Sequence, residues 1–390
     1  MNVNEIIKTS KAPFYVFDTS VLKKRIEFLR SNLPSRVRLC YAVKANTFIT
    51  REVEKYVDLF EICSPGEAHI CNTLNIPPEK TVISGLYKTP SHTEELMKEG
   101  ADRTYTAESV SQLRLLASLA EKYDRMPRVL MRLTNDSQFG MNDADIYGAL
   151  TDGAYSRLVF CGVQFFSGTQ KTSLKKLKRE LDHTYNVFSN AREIYGEHMR
   201  TLEYGAGFPV KYFADEEFDE KEFLKGFSEL ITALSDVPEI TLELGRSIAA
   251  SCGSYFTHIT DIKQNKELNY AVTDGGMHQL VYYGQQMAMR VPIFSVCGKE
   301  DAPAVDRYNI CGALCSMNDI ILKNASLPKI EIGDVLRFEN VGAYSPTEGI
   351  ALFLSRELPA IYILNGENAV CVREPFETYT LNTPHYPAEL

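Results

Sequence analysis

No stretch of the 390-residue sequence approaches the roughly 18 uninterrupted apolar residues of a bilayer-spanning helix, so no membrane partner is expected. The opening residues, MNVNEIIKTSKAPFYVF, lack a basic segment followed by an apolar core, and no secretory signal is expected. There is no CxxC pair and no His/Cys group at zinc spacing, so no metal is expected. The nine cysteines are odd in number and scattered, which suits reduced thiols in a cytoplasm better than a disulfide framework. Positive charge is in deficit: 42 Lys and Arg against 51 Asp and Glu leave a net charge of −9. Nucleic-acid phosphates are held by clustered Lys and Arg, so no nucleic-acid partner is expected. Internal repeats, low-complexity segments and long linkers are missing as well. The remainder is an ordinary globular composition, 44% hydrophobic and 24% charged, long enough for about two or three domains.

From residue 35 to 250, short β-rich runs alternate with longer charged stretches of helical spacing. The runs are Val37–Val43, Leu59–Cys63, Thr81–Ser84, Arg103–Thr106, Arg128–Leu133, Val159–Phe165, Thr201–Tyr204 and Ile240–Leu244. In the intervening SVSQLRLLASLAEKY, Val110, Leu113, Leu116 and Ala117 fall on one helical face. Eight strand–helix units predict an α/β fold, a (β/α)8 barrel of the TIM type, with a doubly wound open sheet as the rival. Polar and glycine-rich residues follow the strands: YAVKAN, EICSPGE, RLTNDSQFG, QFFSGTQ, EYGAGFP and ELGRS. A barrel would gather these at one mouth. After about residue 255, β-rich stretches lie among Gly, Asn, Asp and Pro turns: Tyr255–Ile262, Leu268–Thr273, Pro292–Val296, Asp334–Phe338 and Ala360–Leu364. The expected division is a barrel over 20–254 and a mostly β domain from 1–19 with 255–390, to which FYVFD adds a strand.

Lys44 ends an apolar strand. Pointing into a barrel mouth it would be partly desolvated, which lowers its pKa and frees an amine for Schiff-base chemistry; a surface lysine is the plainer alternative. The small residues of Gly205-Ala206-Gly207-Phe208-Pro209 let backbone N–H groups approach a phosphate. Gly245-Arg246, after the next strand, adds a turn and a charge. Each could equally be a tight turn. A phosphate site together with a lysine that takes an aldehyde describes pyridoxal 5'-phosphate. Glu243 could bond its pyridine nitrogen, or pair with a buried arginine.

YAVKAN, EICSPGE, FSGTQ, EYGAGFP, ELGRS, TDGGM, CGALCSMND and VGAY stand in the order of the fold-type III pyridoxal-phosphate decarboxylases, which the chain resembles from about Pro13 to beyond Tyr344. The nearest group is that of the diaminopimelate and ornithine decarboxylases. The resemblance implies a racemase-like (β/α)8 barrel followed by a β domain. It implies that Lys44 holds the cofactor, that Glu243 meets the pyridine nitrogen, and that Gly205, Ala206, Gly207, Gly245, Arg246, Thr169 and Tyr344 hold its phosphate. Glu67 and Arg132 match polar residues around the cofactor, and Glu61 stands where a shorter aspartate is common. Cys315 matches the residue that protonates the carbon left when carbon dioxide departs. In this family the counterpart of Cys315 comes from a second subunit, so a homodimer with shared sites is implied.

Three departures from the family pattern concern recognition. Phe166 replaces a histidine that stacks on the cofactor ring; a phenyl can stack but carries no charge. Ser316 replaces an acid that meets a distal ammonium, and a lost charged partner in a buried site costs about 2–5 kcal/mol. Asp319 keeps the acid at the end of that motif. No arginine precedes Tyr283-Gly284 in HQLVYYGQQ to grip a distal carboxylate; Arg290 lies farther on, and His278, Tyr282, Tyr283 and Gln285 are candidate linings. The expected activity is decarboxylation of an amino acid or amino-acid conjugate other than diaminopimelate or ornithine: a carboxylated polyamine, a siderophore precursor or a group on a carrier protein. An amino-acid racemase of the same fold and a non-catalytic regulatory relative are the rivals. Glu243 and the full CGALCSMND motif weigh against both.

Overall fold

The computed structural model describes residues 1–285 and 288–386. The chain forms two compact units, one of Arg25–Pro209 with Asp219–Ile248, the other of Met1–Lys24, Val210–Phe218 and Ala249–Leu390. A first strand, β1 (Phe14–Asp18), belongs to the second unit. Eight strands then build the first unit: β2 (Val37–Ala42), β3 (Leu59–Ile62), β4 (Thr81–Ile83), β5 (Thr104–Ala107), β6 (Arg128–Arg132), β7 (Val159–Phe166), β8 (Thr201–Gly205) and β9 (Glu239–Leu244). Each pairs with the next in parallel, and β9 pairs back to β2 from Val37↔Ile240 to Tyr41↔Leu244, closing the barrel. Closure excludes the open doubly wound sheet.

The helices follow from apolar spacing and polar caps. In Val110–Lys122 the Ser109 side chain accepts from the Gln112 amide at 3.2 Å, and Leu113, Leu116, Ala117, Leu119 and Ala120 are buried. Leu174–Tyr195 starts at a Ser173 cap and ends at Gly196, whose φ of 86° suits glycine. Inside the barrel Cys40, Leu59, Val82 and Leu130 form an apolar cluster. Other interior positions break the apolar rule: Glu61, Arg132, Gln164, Glu203 and Glu243 are all buried. Arg132 is level with Gln164, and Gln164 with Glu203, across β6, β7 and β8.

In the second unit β10 (Gly253–Asn265), β11 (Leu268–Thr273), β12 (Phe294–Val296), β13 (Asp306–Cys311), β14 (Ile320–Leu327), β15 (Val335–Glu339), β16 (Ala360–Asn365) and β17 (Asn368–Arg373) form one sheet with β1. The sheet runs β14-β13-β11-β10-β1-β16-β17, with β15 pairing both β10 and β12. FYVFD is the expected added strand, antiparallel to β10 and parallel to β16. Phe14 stacks on Phe256 at 4.7 Å within a core that includes Ile6, Val16 and Val335. Three strands were not foreseen. β13 (DRYNIC) is polar, β14 (IILKNASL) is interrupted by Asn324 at φ 52°, and β17 alternates only between half-buried and exposed residues. None shows the apolar contrast by which strands are read. No helix among the described residues is long and apolar enough to cross a membrane.

Candidate active site

The chain leaves β2 in a single 3-10 turn, Val43–Ala45, which delivers Lys44 to the barrel rim. Lys44 Nζ is paired with Glu61 of β3 and lies 3.3 Å from Glu243 Oε1 of β9 and 3.6 Å from Cys63 Sγ. Burial acts to lower the Lys44 pKa, but the Glu61 and Glu243 carboxylates outweigh it and hold the ammonium well above its usual range. This corrects the expectation of a lowered pKa, because the sequence does not show the two carboxylates meeting one amine. Glu61 is held down at about 2: burial opposes this, and Lys44 overcomes it. Burial and the Glu61 charge push Glu243 up to about 7, so near neutrality Glu243 is partly protonated while Glu61 stays ionised. Gln164 Nε2 donates to Glu243 Oε2 at 3.2 Å and to Glu203 Oε1 at 3.0 Å.

The loops after β7, β8 and β9 form a narrow cradle. A Cβ at Gly205 would run into the Phe166 ring, and one at Gly207, where φ is 60°, would strike the Gly168 carbonyl oxygen. The two backbones therefore meet at a distance only glycine permits. Ala206 is fully buried between these glycines. Arg246 Nε donates to Thr169 Oγ1 at 3.2 Å, tying the turn at Gly245-Arg246 to the same cradle. Arg132 pairs with Glu108 at 2.9 Å and lies 4.6 Å from the Phe139 ring centroid, leaving its buried Nε without a hydrogen-bond partner. Glu67, in the first turn of the helix Pro65–Thr73, accepts the Cys63 amide at 2.7 Å.

In the second unit Cys315, Ser316, Met317 and Asn318 form an exposed turn, with Met317 93% accessible. Ser316 Oγ accepts the Asn318 amide at 3.2 Å. Asp319 is buried and accepts two backbone amides, Met277 and Leu314, each at 2.8 Å. Its carboxylate pins two turns together, so its geometry is that of a turn-holder. Arg290 pairs with Asp215 and Glu216, both at 2.9 Å, and lies 4.2 Å from the Phe213 ring centroid. Tyr282 and Gln285 line a cavity of about 240 Å³ with Met277, Leu280, Ile320 and Ile350. Tyr283 is exposed, and the neighbouring Gln286 lies outside the described residues. His278 is buried with no partner on either ring nitrogen, and burial, with Arg356, lowers it to about 4. Tyr344 has φ 70°, a costly angle for a tyrosine, just before the helix Ser345–Glu348. The Gly342 amide donates to the Ala250 carbonyl at 2.9 Å.

Residues 19–250 match the family model for the pyridoxal-dependent decarboxylase, pyridoxal binding domain. The chain belongs to the pyridoxal-dependent decarboxylases. It is 26% identical to the L-glutamyl-[BtrI acyl-carrier protein] decarboxylase of Niallia circulans, over 92% of this chain and 90% of that protein. It is also 26% identical to the 2-[(L-alanin-3-ylcarbamoyl)methyl]-2-hydroxybutanedioate decarboxylase of Staphylococcus aureus, over 93% of this chain and 97% of that protein. The diaminopimelate decarboxylase of M. jannaschii, solved with L-lysine, shares the fold at a TM-score of 0.87 and 22% identity, covering 99% of this chain and 95% of that one.

The cofactor of this decarboxylase is pyridoxal phosphate. The barrel residues fit it chemically. A lysine amine, an adjacent buried carboxylate and a cradle that a Cβ would fill lie on four neighbouring strand ends, β7, β8, β9 and β2. Gln164 and Glu203 of the decarboxylase were missed from the sequence, although each interrupts an apolar strand at an inward position, which is a readable signal. Lys88 was missed too; it is buried, and burial lowers it to about 8 despite Glu108. Its loop, SGLYKTP, carries no pattern that marks a buried lysine. Among the described residues no group of three or more His, Cys, Asp or Glu could hold a metal ion.

Proposed function

We propose that this decarboxylase removes the α-carboxylate, as carbon dioxide, from an amino-acid unit carried within a larger conjugate. Neither free diaminopimelate nor free ornithine is the substrate in this reading. The observation that carries it is the barrel rim, with Lys44 between Glu61 and Glu243 beside the glycine-walled cradle. Support for a conjugate comes from Ser316, which offers no charge to a distal ammonium, and from Arg290, whose guanidinium is already paired with two acids. Two of the relatives point the same way, beside others that are diaminopimelate decarboxylases. One is named for a glutamyl group on an acyl-carrier protein and the other for an alanine unit joined to hydroxybutanedioate.

Pyridoxal phosphate, when bound, supplies an electron sink for the pair left behind by carbon dioxide. Lys44 Nζ would be the amine that holds the cofactor, and Glu243 the carboxylate that would meet its pyridine nitrogen. Thr169, Gly205, Ala206, Gly207, Gly245, Arg246 and Tyr344 would hold its phosphate, and Phe166, Glu67 and Arg132 would contact the rest of it. Cys315 delivers a proton to the carbon that has lost its carboxylate. Ser316 and Tyr283 shape the substrate end, and Asp319 sets the turn that presents them. A homodimer in the cytoplasm fits the exposed Cys315 turn, which a second copy would cover.

The test is carbon dioxide release from the cofactor-loaded protein across free amino acids, amino-acid conjugates and carrier-linked amino acids. Release from a conjugate and no measurable release by Lys44→Ala are expected. Release from free diaminopimelate or ornithine would remove the conjugate part of the reading. Deuterium entering Cα with the carboxylate retained would replace decarboxylation by racemisation.

A further inference from the structure

The loop after β7 carries a lysine that the proposed chemistry does not use. The Lys171 side chain is 3% exposed, an unfavourable place for an ammonium unless its partners offset the lost water. Its Nζ lies 2.8 Å from Glu180 Oε2 and 3.4 Å from the Gly205 carbonyl oxygen. The same atom lies 5.2 Å from the Tyr204 ring centroid and 5.9 Å from that of Phe166. Glu180, on the helix Leu174–Tyr195, gathers further donors. Ser167 Oγ and the Tyr204 hydroxyl each donate to it at 2.6 Å, and Lys176 Nζ lies 3.9 Å away. Burial acts to raise the Glu180 pKa, but these donors hold it below the usual range, so it stays ionised. The Lys171 amide donates to the Gly207 carbonyl at 2.9 Å.

The members of this network bracket the cradle. Ser167 and Lys171 flank Gly168 and Thr169 on one loop; Tyr204 and Gly205 lead into Gly207 on the other. A buried ion pair is weak evidence for stability and better evidence for a fixed arrangement. Phe166 adds a second reason for such a device. A phenyl ring has no hydrogen bond with which to set its own tilt. Here the ring packs directly on the Gly205 backbone, in the space a Cβ would fill, and the Lys171 ammonium lies 5.9 Å from its centroid.

We propose that Lys171, through Glu180, is a positioning residue that locks the loop after β7 to the loop after β8 and so fixes the width of the phosphate cradle and the tilt of Phe166. This rests on the reading of that cradle as the cofactor-phosphate site. Cofactor-free wild type, Lys171→Met, Lys171→Arg and Glu180→Gln are titrated with pyridoxal phosphate by absorbance, and with inorganic phosphate by thermal shift. Lys171→Met is expected to bind pyridoxal phosphate about tenfold or more weakly, because preorganisation of the cradle is lost, and to lose the phosphate-induced shift. Lys171→Arg, which keeps the charge, recovers most of the affinity, an outcome that general destabilisation does not produce. If Lys171→Met does not fold, the double variant Lys171→Met/Glu180→Met, with neither charge, is held to the same standard. A folded variant lacking Lys171 whose affinity stays within about twofold of wild type overturns the proposal. Wild-type protein that binds neither probe overturns the cradle reading itself, and the inference with it.

Discussion

Lys44 and Cys315 carry the two ends of the proposed chemistry, and their surroundings differ in kind. Lys44 is held by Glu61 and Glu243 from flanking strands, and Gln164 in turn orients Glu243. Glu61, Glu243 and Gln164 sit on barrel strands and Lys44 on the turn that leaves β2, so this end is preorganised by the same packing that folds the unit. Cys315 stands on an exposed turn. Asp319 fixes that turn from beneath through two amides, while its outer face, Ser316 to Asn318, meets solvent. The amine end is thus set among buried barrel side chains, and the other stands on an exposed turn. Affinity for the cofactor should depend chiefly on the barrel residues, with Tyr344 added from the second unit, and turnover on Cys315 as well.

Cys315→Ala breaks this comparison most sharply. Removing a proton donor should lower kcat about 10²- to 10⁴-fold with cofactor affinity unchanged, read by carbon dioxide release beside an absorbance titration. Equal losses in both would show that the turn supports the cofactor after all. Gly205→Ala attacks the other end. Its Cβ would meet the Phe166 ring, and overpacking of about 1–3 kcal/mol corresponds to about 5- to 150-fold weaker cofactor binding. Unchanged affinity would mean that the ring moves aside freely.

The smallest effect concerns the acids beneath Lys44. Burial, with the charges of Glu243 and Glu61, pushes Glu203 up to about 8 from an ordinary 4.5, and the Gln164 hydrogen bond and Arg38 oppose this. Between pH 4.5 and 8 the folded chain keeps a proton that the unfolded chain has released, so stability falls as pH rises and the loss is complete above 8. Glu243, at about 7, adds a loss of the same sign at lower pH. Glu203→Gln removes one titration, and the melting temperature of the cofactor-free protein should fall less steeply from pH 5 to 8. An unaltered slope would place the titrating proton elsewhere.

Much of this was legible in the sequence because the barrel repeats one simple unit. Each of the eight expected runs overlaps a strand, and the polar residues just past them mark the rim. The Gly205 and Gly207 turns were legible for a related reason, since close backbone approach admits few residue types. What the sequence hid was pairing across strands. Nothing at Lys44, Glu61 or Glu243 alone reveals that one amine answers two carboxylates, or that Arg290 belongs to Asp215 and Glu216. Asp319 read as a substrate acid because its neighbours suggested it; its two amide partners lie 42 and 5 positions away. Lys171 carried no signal at all, because a lysine among lysines gives no hint of being buried.

The placement of β1 has a consequence for biosynthesis. Its residues pair with Gly253–Phe256 on one side and with Ala360–Leu364 on the other. A ribosome makes the strand some hundreds of residues before its last partner. At about 5–20 residues per second the nascent chain carries an apolar FYVF segment, unpaired along that edge, for roughly 20 to 70 s. The barrel residues emerge in that interval and can close without it. An open strand edge held for so long is a site of misassociation until β16 arrives.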